Sequence, residues 1–150
     1  MKWTICAVIF WIAGTGSGLA ADTGRAPTSE TFRKAAWKMG VEFAQCAGLY
    51  WALAETEGDP DIRQSIYDTG NGAYLAALSN FAEVMPLTDA VAFTKDETKR
   101  QLSYFRADLS VADASVLAKV DSQMRICLAL GDHQAQFMTR MRARARGVEP

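Results

Sequence analysis

The sequence predicts an all-α, four-helix bundle-like single domain, and three observations carry that expectation. Apolar residues recur at spacings of three and four along four stretches, and no strand-length alternation appears anywhere. Capping residues, Pro and Gly punctuate the boundaries between those stretches. Two cysteines, Cys46 and Cys127, fall on the inward stripes of the first and last of them. One disulfide between the first and last helices is therefore expected.

The first helix is expected over 28–57. Thr28-Ser29-Glu30 supplies a capping hydroxyl and a first-turn acid. Phe32, Ala36, Met39, Phe43, Cys46, Tyr50 and Leu53 then form one stripe, and Gly58 suits the position after the last turn. The second helix is expected over 60–85, with Asp59 as cap and Pro60 at its first position. It carries Ile62, Ile66, Ala73, Ala77, Phe81 and Val84 inward. Gly70-Asn71-Gly72 interrupts it, which predicts a kink, a close approach by a neighbour, or a break. Pro86 ends the element, and Leu87–Phe93 reads as either a helical turn or a loop.

Thr94-Lys95-Asp96-Glu97 has the form of a capping box and predicts a third helix over 94–108, with Leu102, Phe105 and Leu109 inward. Ser110-Val111-Ala112-Asp113 predicts the start of the fourth, over 111–145, with Leu117, Val120, Met124 and Cys127 on one stripe and a bend near Gly131. The expected core comprises Phe32, Met39, Phe43, Tyr50, Leu53 and Ile66, then Phe81, Leu102, Phe105, Leu117, Val120 and Met124.

The start of the chain reads as an address. Met1-Lys2, an apolar run from Trp3 to Ala13 and small residues up to Ala20 are the three parts of a secretory signal peptide. The run is shorter than the roughly 20 apolar residues a membrane span needs. Gly18 and Ala20 suit the −3 and −1 positions, so cleavage is expected after Ala20, with Ala21 the next choice. The glycines Gly14, Gly16 and Gly18 lie in this segment and carry no nucleotide-binding argument. The expected organisation is a cleaved signal peptide (1–20), a mobile polar leader (21–27), a helical domain (28–146) and a C-terminal tail (147–150). Cleavage removes Lys2 and Cys6, taking the formal charge from −1 to −2 and leaving Cys46 and Cys127. An even cysteine count in a periplasmic or secreted chain reads as one disulfide.

Composition narrows the function. With 49% apolar and 22% charged residues the chain is an ordinary globular protein, and its near-neutral balance argues against nucleic acid as a partner. His133 is the single histidine, too few for di-iron bundles or zinc hydrolases. No Cys-x-x-Cys-His haem motif and no nucleophile elbow is present, so no catalytic residue, metal or cofactor is expected. The acids Glu55, Glu57, Asp59 and Asp61 do not match the spacing of a calcium loop and serve better as helix-terminal charges.

Two features point to partners. Trp37 and Trp51 lie 14 residues apart, about 40° around an ideal helix, beside the main stripe. They form either a second buried face or an aromatic partner surface. Arg140, Arg142, Arg144 and Arg146 make the C-terminal end basic; they complement the helix dipole or dock on an anionic surface. The expected function is an exported protein-interaction module with a partner in the cell envelope, such as an inhibitor, immunity or assembly accessory factor. The alternative is a carrier or sensor of a small apolar ligand in the bundle core.

Overall fold

The computed structural model describes residues 30–111 and 113–145, with side chains as far as Gly131. The expected signal peptide, leader, Thr28-Ser29 cap and 147–150 tail lie outside the described residues. Four helices follow one another: α1 (Glu30–Thr56), α2 (Pro60–Ala82), α3 (Leu87–Val111) and α4 (Ala114–Ala145). They pack together as an all-α bundle, with a Cys46–Cys127 disulfide joining first and last. No described helix is long and apolar enough to cross a membrane.

α1 is the central helix and touches the other three. Its sequence explains why. Ala36, Gly40, Ala44, Ala47, Gly48, Ala52 and Ala54 are all buried, so neighbours approach its backbone on several sides. A Cβ added at Gly40 would sit 2.7 Å from the Phe81 ring, and one at Gly48 would sit 2.6 Å from Gln101 Cβ and 2.7 Å from the Leu102 amide nitrogen. Interiors pack at crystal density, so these positions are filled from the opposing helix. Phe32, Phe43, Cys46 and Tyr50 are buried as expected, while Met39 and Leu53 are half-buried against the core.

Asp59 caps α2: its carboxylate accepts from the backbone N–H groups of Asp61 (2.9 Å) and Ile62 (3.2 Å), with Pro60 at the first turn. α2 runs unbroken through Gly70-Asn71-Gly72. Of the three outcomes expected there, close approach by a neighbour is the one observed. The helix ends at Ala82, three residues before its expected end, with Arg33 of α1 donating to the Val84 carbonyl just beyond (3.2 Å). Phe81 is fully buried and Ile66 half-buried, but Ile62 is 45% exposed, because the first turn lies at the open end of the bundle.

α3 begins seven residues earlier than the expected start at Thr94. Pro86 starts α3, its carbonyl accepting from the Asp89 and Ala90 amides. Thr94 is therefore mid-helix and buried, its hydroxyl donating to the Ala90 carbonyl (2.6 Å), and Glu97 bonds Arg100 and Gln101 rather than a cap. The buried stripe of α3 is Ala90, Thr94, Thr98, Gln101 and Phe105. This half-polar face fits the small residues of α1, while Leu102 and Leu109 are only half-buried.

α4 is capped by Asp113, not by Ser110. Asp113 accepts from the Val116 amide (2.8 Å), whereas Ser110 donates back to Ala107 inside α3. The helix continues through Gly131. Cys127 sets its rotation. Val116 and Val120 lie about 20° from the Cys127 direction around an ideal helix, and Leu117 about 80° away. Val116, Val120, Cys127 and Leu130 are accordingly buried, Met124 is half-buried, and Leu117, expected in the core, is 54% exposed.

Glu55 of α1 and Arg106 of α3 form a two-bond ion pair across the bundle end. The Arg106 hydrogen bonds hold the Glu55 carboxyl below the ordinary glutamate range. A lowered folded value means the pair stabilises above that range and its contribution is lost as pH falls through it. We expect Arg106→Gln to destabilise near neutral pH, and its difference from the parent to shrink as pH falls below the ordinary glutamate range. Denaturant midpoints against pH check this; both side chains are about half exposed, so the effect is small.

Candidate functional site

The site is built around Trp51. In helix-on-helix packing a large side chain enters a hole formed by residues i, i+3, i+4 and i+7 of its neighbour. On α2 that hole is Tyr67, Gly70, Asn71 and Tyr74. Tyr67 and Tyr74 stack on the Trp51 indole at centroid distances of 5.9 and 5.8 Å, with interplanar angles of 23° and 26°. Gly70 forms the floor: a Cβ there would lie 2.5 Å from Trp51 Cδ1 and 2.6 Å from Nε1. The indole fits because position 70 has no side chain. Its Nε1 is buried over this floor with no hydrogen-bond partner among the described residues.

We expect Gly70→Ala to cost about 1–3 kcal/mol through overpacking, despite alanine's better helix propensity. A melting curve read beside Trp fluorescence checks it, since the indole must leave its notch.

Beside this knob the bundle end opens into a groove of about 600 Å3 between α1, α2 and α3. Trp51, Ala54, Leu102 and Tyr67 give it an apolar lining, and Glu55, Pro60, Arg63 and Gln64 complete it. Its charged groups are anchored. Arg63 donates to the backbone carbonyls of Glu57 (2.9 Å) and Gly58 (3.4 Å), closing the C-terminal end of α1. Glu55 is held by Arg106, and Gln64 donates to Asp68 (2.9 Å). The result is a pre-organised surface: aromatic and aliphatic in the middle, polar at the rim.

Trp37 lies in a different place. It packs on Phe81 (5.3 Å) and Phe93 (4.9 Å), remains 41% exposed, and lines a second open groove of about 470 Å3 with Arg33, Lys34 and Val84. The two tryptophans are about 21 Å apart along α1. They belong to separate aromatic clusters, so the structure does not bring them into one shared groove.

The acidic run has structural duties: Glu55 pairs with Arg106, Glu57 accepts from the Asp59 amide (2.9 Å), and Asp59 caps α2. Among the described residues no group of three or more His, Cys, Asp or Glu side chains could hold a metal. Cys46 and Cys127 are joined, with Cα atoms 5.6 Å apart. Arg140, Arg142 and Arg144 belong to α4 by their backbone, as does His133, but their side chains and all of Arg146 lie outside the description.

Sequence reasoning picked out Trp51 but missed Tyr67, Arg63 and Gln64. The spacing Tyr67–Gly70–Tyr74, two aromatics one heptad apart around a glycine, was the available signal. No protein-family model, curated protein or solved structure matches the chain.

Proposed function

We propose that the chain is an exported protein-interaction module that binds a protein partner in the cell envelope through the α1–α2–α3 groove. One observation carries this reading. An open groove with Trp51, Tyr67 and Leu102 in its lining and Arg63 and Gln64 beside them sits on a scaffold clamped by a disulfide. Tryptophan, tyrosine and arginine dominate binding hot spots, and rigid presentation lowers the ordering cost of association. Export is supported by the signal-like first twenty residues and by the disulfide. An inhibitor, an immunity protein or an assembly accessory factor would need such a surface. An apolar-ligand carrier would need room in the core, and the space over Gly70 is filled by the Trp51 indole.

Affinity capture from envelope extract tests the proposal, with the native chain beside Tyr67→Ala, Gln64→Ala and Trp37→Ala variants whose melting curves match it. A specific protein should be retained by the native chain and weakened by the Tyr67 and Gln64 variants more than by Trp37→Ala. Retention indifferent to the groove variants, or a bound small molecule in native mass spectrometry with no protein, overturns it.

A further inference from the structure

The groove lies at an acidic end of the molecule. Glu57, Asp59, Asp61 and Asp68 cluster along the α1–α2 turn and the first three turns of α2. Of the guanidiniums nearby, Arg106 is paired with Glu55 and Arg63 donates to the Glu57 and Gly58 carbonyls just beyond α1, which leaves the carboxylates in excess. The rim therefore favours a cationic visitor with apolar side chains for the groove lining. The same chain carries such a segment. Residues 137–146 hold Phe137, Met138 and Met141 together with Arg140, Arg142, Arg144 and Arg146.

This segment cannot reach its own groove. The Arg106–Glu55 pair sets the C-terminal end of α3 beside that of α1, and only two residues separate the end of α3 from the start of α4. By Cys127 it has reached Cys46, in the middle of α1. α4 thus runs toward the start of α1, and at 1.5 Å per residue its end lies about 40 Å from the level of Glu55.

We propose that the groove seats the 137–146 segment of a second copy of this chain, head to tail. The inference rests on reading the groove as a protein-binding surface. Such a contact joins two different surfaces, so it builds rings or open chains, or a two-fold dimer where two copies exchange tails reciprocally. Its charge pairing weakens as the Debye length shrinks from about 30 Å at 0.01 M salt to about 3 Å at 1 M.

Sedimentation of the processed chain over a concentration series tests it. The native chain should gain mass with concentration in low salt and revert to monomer in high salt. Two variants split the contact. Arg140→Gln, Arg142→Gln, Arg144→Gln, Arg146→Gln removes the key and keeps the lock; Gln64→Arg, Asp68→Arg does the reverse. Each should be monomeric alone, with the native circular dichroism spectrum, and an equimolar mixture should form a one-to-one dimer that grows no further. A native chain that stays monomeric, a four-Arg variant that still associates, or a mixture that forms no dimer overturns the proposal. Groove-dependent capture of a different envelope protein by a monomeric chain would leave the interaction reading standing and this inference refuted.

Discussion

Replacing Cys46 and Cys127 with serine, or reducing their bond, should lower stability by about 2–5 kcal/mol. The bond spans a sequence separation of 81, and a loop of that length accounts for about 4.5 kcal/mol in the chain-entropy description. α4 should feel the loss first. Among the described residues it contacts α1 and α3 but not α2, and its buried side chains are Val116, Val120, Cys127 and Leu130. Leu117, Ile126 and Leu128 already face solvent, so few of the described α4 side chains hold it. Denaturant titration with and without reductant measures the size of the effect. Amide hydrogen exchange shows its place, with α4 losing protection ahead of α1 and α2.

Gly48→Ala is the second large effect. The added methyl would meet Gln101 Cβ at 2.6 Å, the Leu102 amide nitrogen at 2.7 Å and the Gln101 carbonyl carbon at 2.9 Å. Two of these atoms are backbone, so no rotamer change relieves the contact and α1 and α3 must separate. Overpacking of this kind costs about 1–3 kcal/mol, and we expect the upper end. Gly72→Ala is the matched control. It lies inside α2 with nothing near its Cβ direction, so helix propensity alone should raise stability by up to about 1 kcal/mol. Paired melting curves of the two variants should move in opposite directions.

The α1 stripe was legible because large side chains repeat along it, and the start of α2 because Asp59-Pro60 is a local signal that tertiary packing does not overrule. α3 was misread for a physical reason. Thr94 and Glu97 have capping-box spacing, but against the small residues of α1 the inward face of α3 is best filled by Thr94, Thr98 and Gln101. Hydrophobic periodicity does not register a buried threonine whose hydroxyl bonds to its own helix. The Leu117 error is one of rotation: either valine or leucine could have faced inward until the covalent bond at Cys127 fixed the helix about its axis.

The groove was harder to foresee because three helices contribute to it. Trp51 was visible as an aromatic beside the main stripe, yet its setting depends on register between α1 and α2. That register places the indole over Gly70 rather than over a neighbouring side chain. Only with Tyr67 and Tyr74 on either side of that glycine does the bundle end take its shape. The arginines at the other end follow from composition alone, and their relation to the groove from the direction in which α4 runs.

An exported, disulfide-clamped bundle is the claim on which every later step depends, and one intact-mass measurement on protein recovered from the cell envelope addresses it. The mass should be that of residues 21–150 less two hydrogens, unchanged by a thiol alkylator and raised by two alkyl groups once reductant is added first. A chain that retains residues 1–20, or takes up alkylator at Cys46 and Cys127 without reduction, would contradict it.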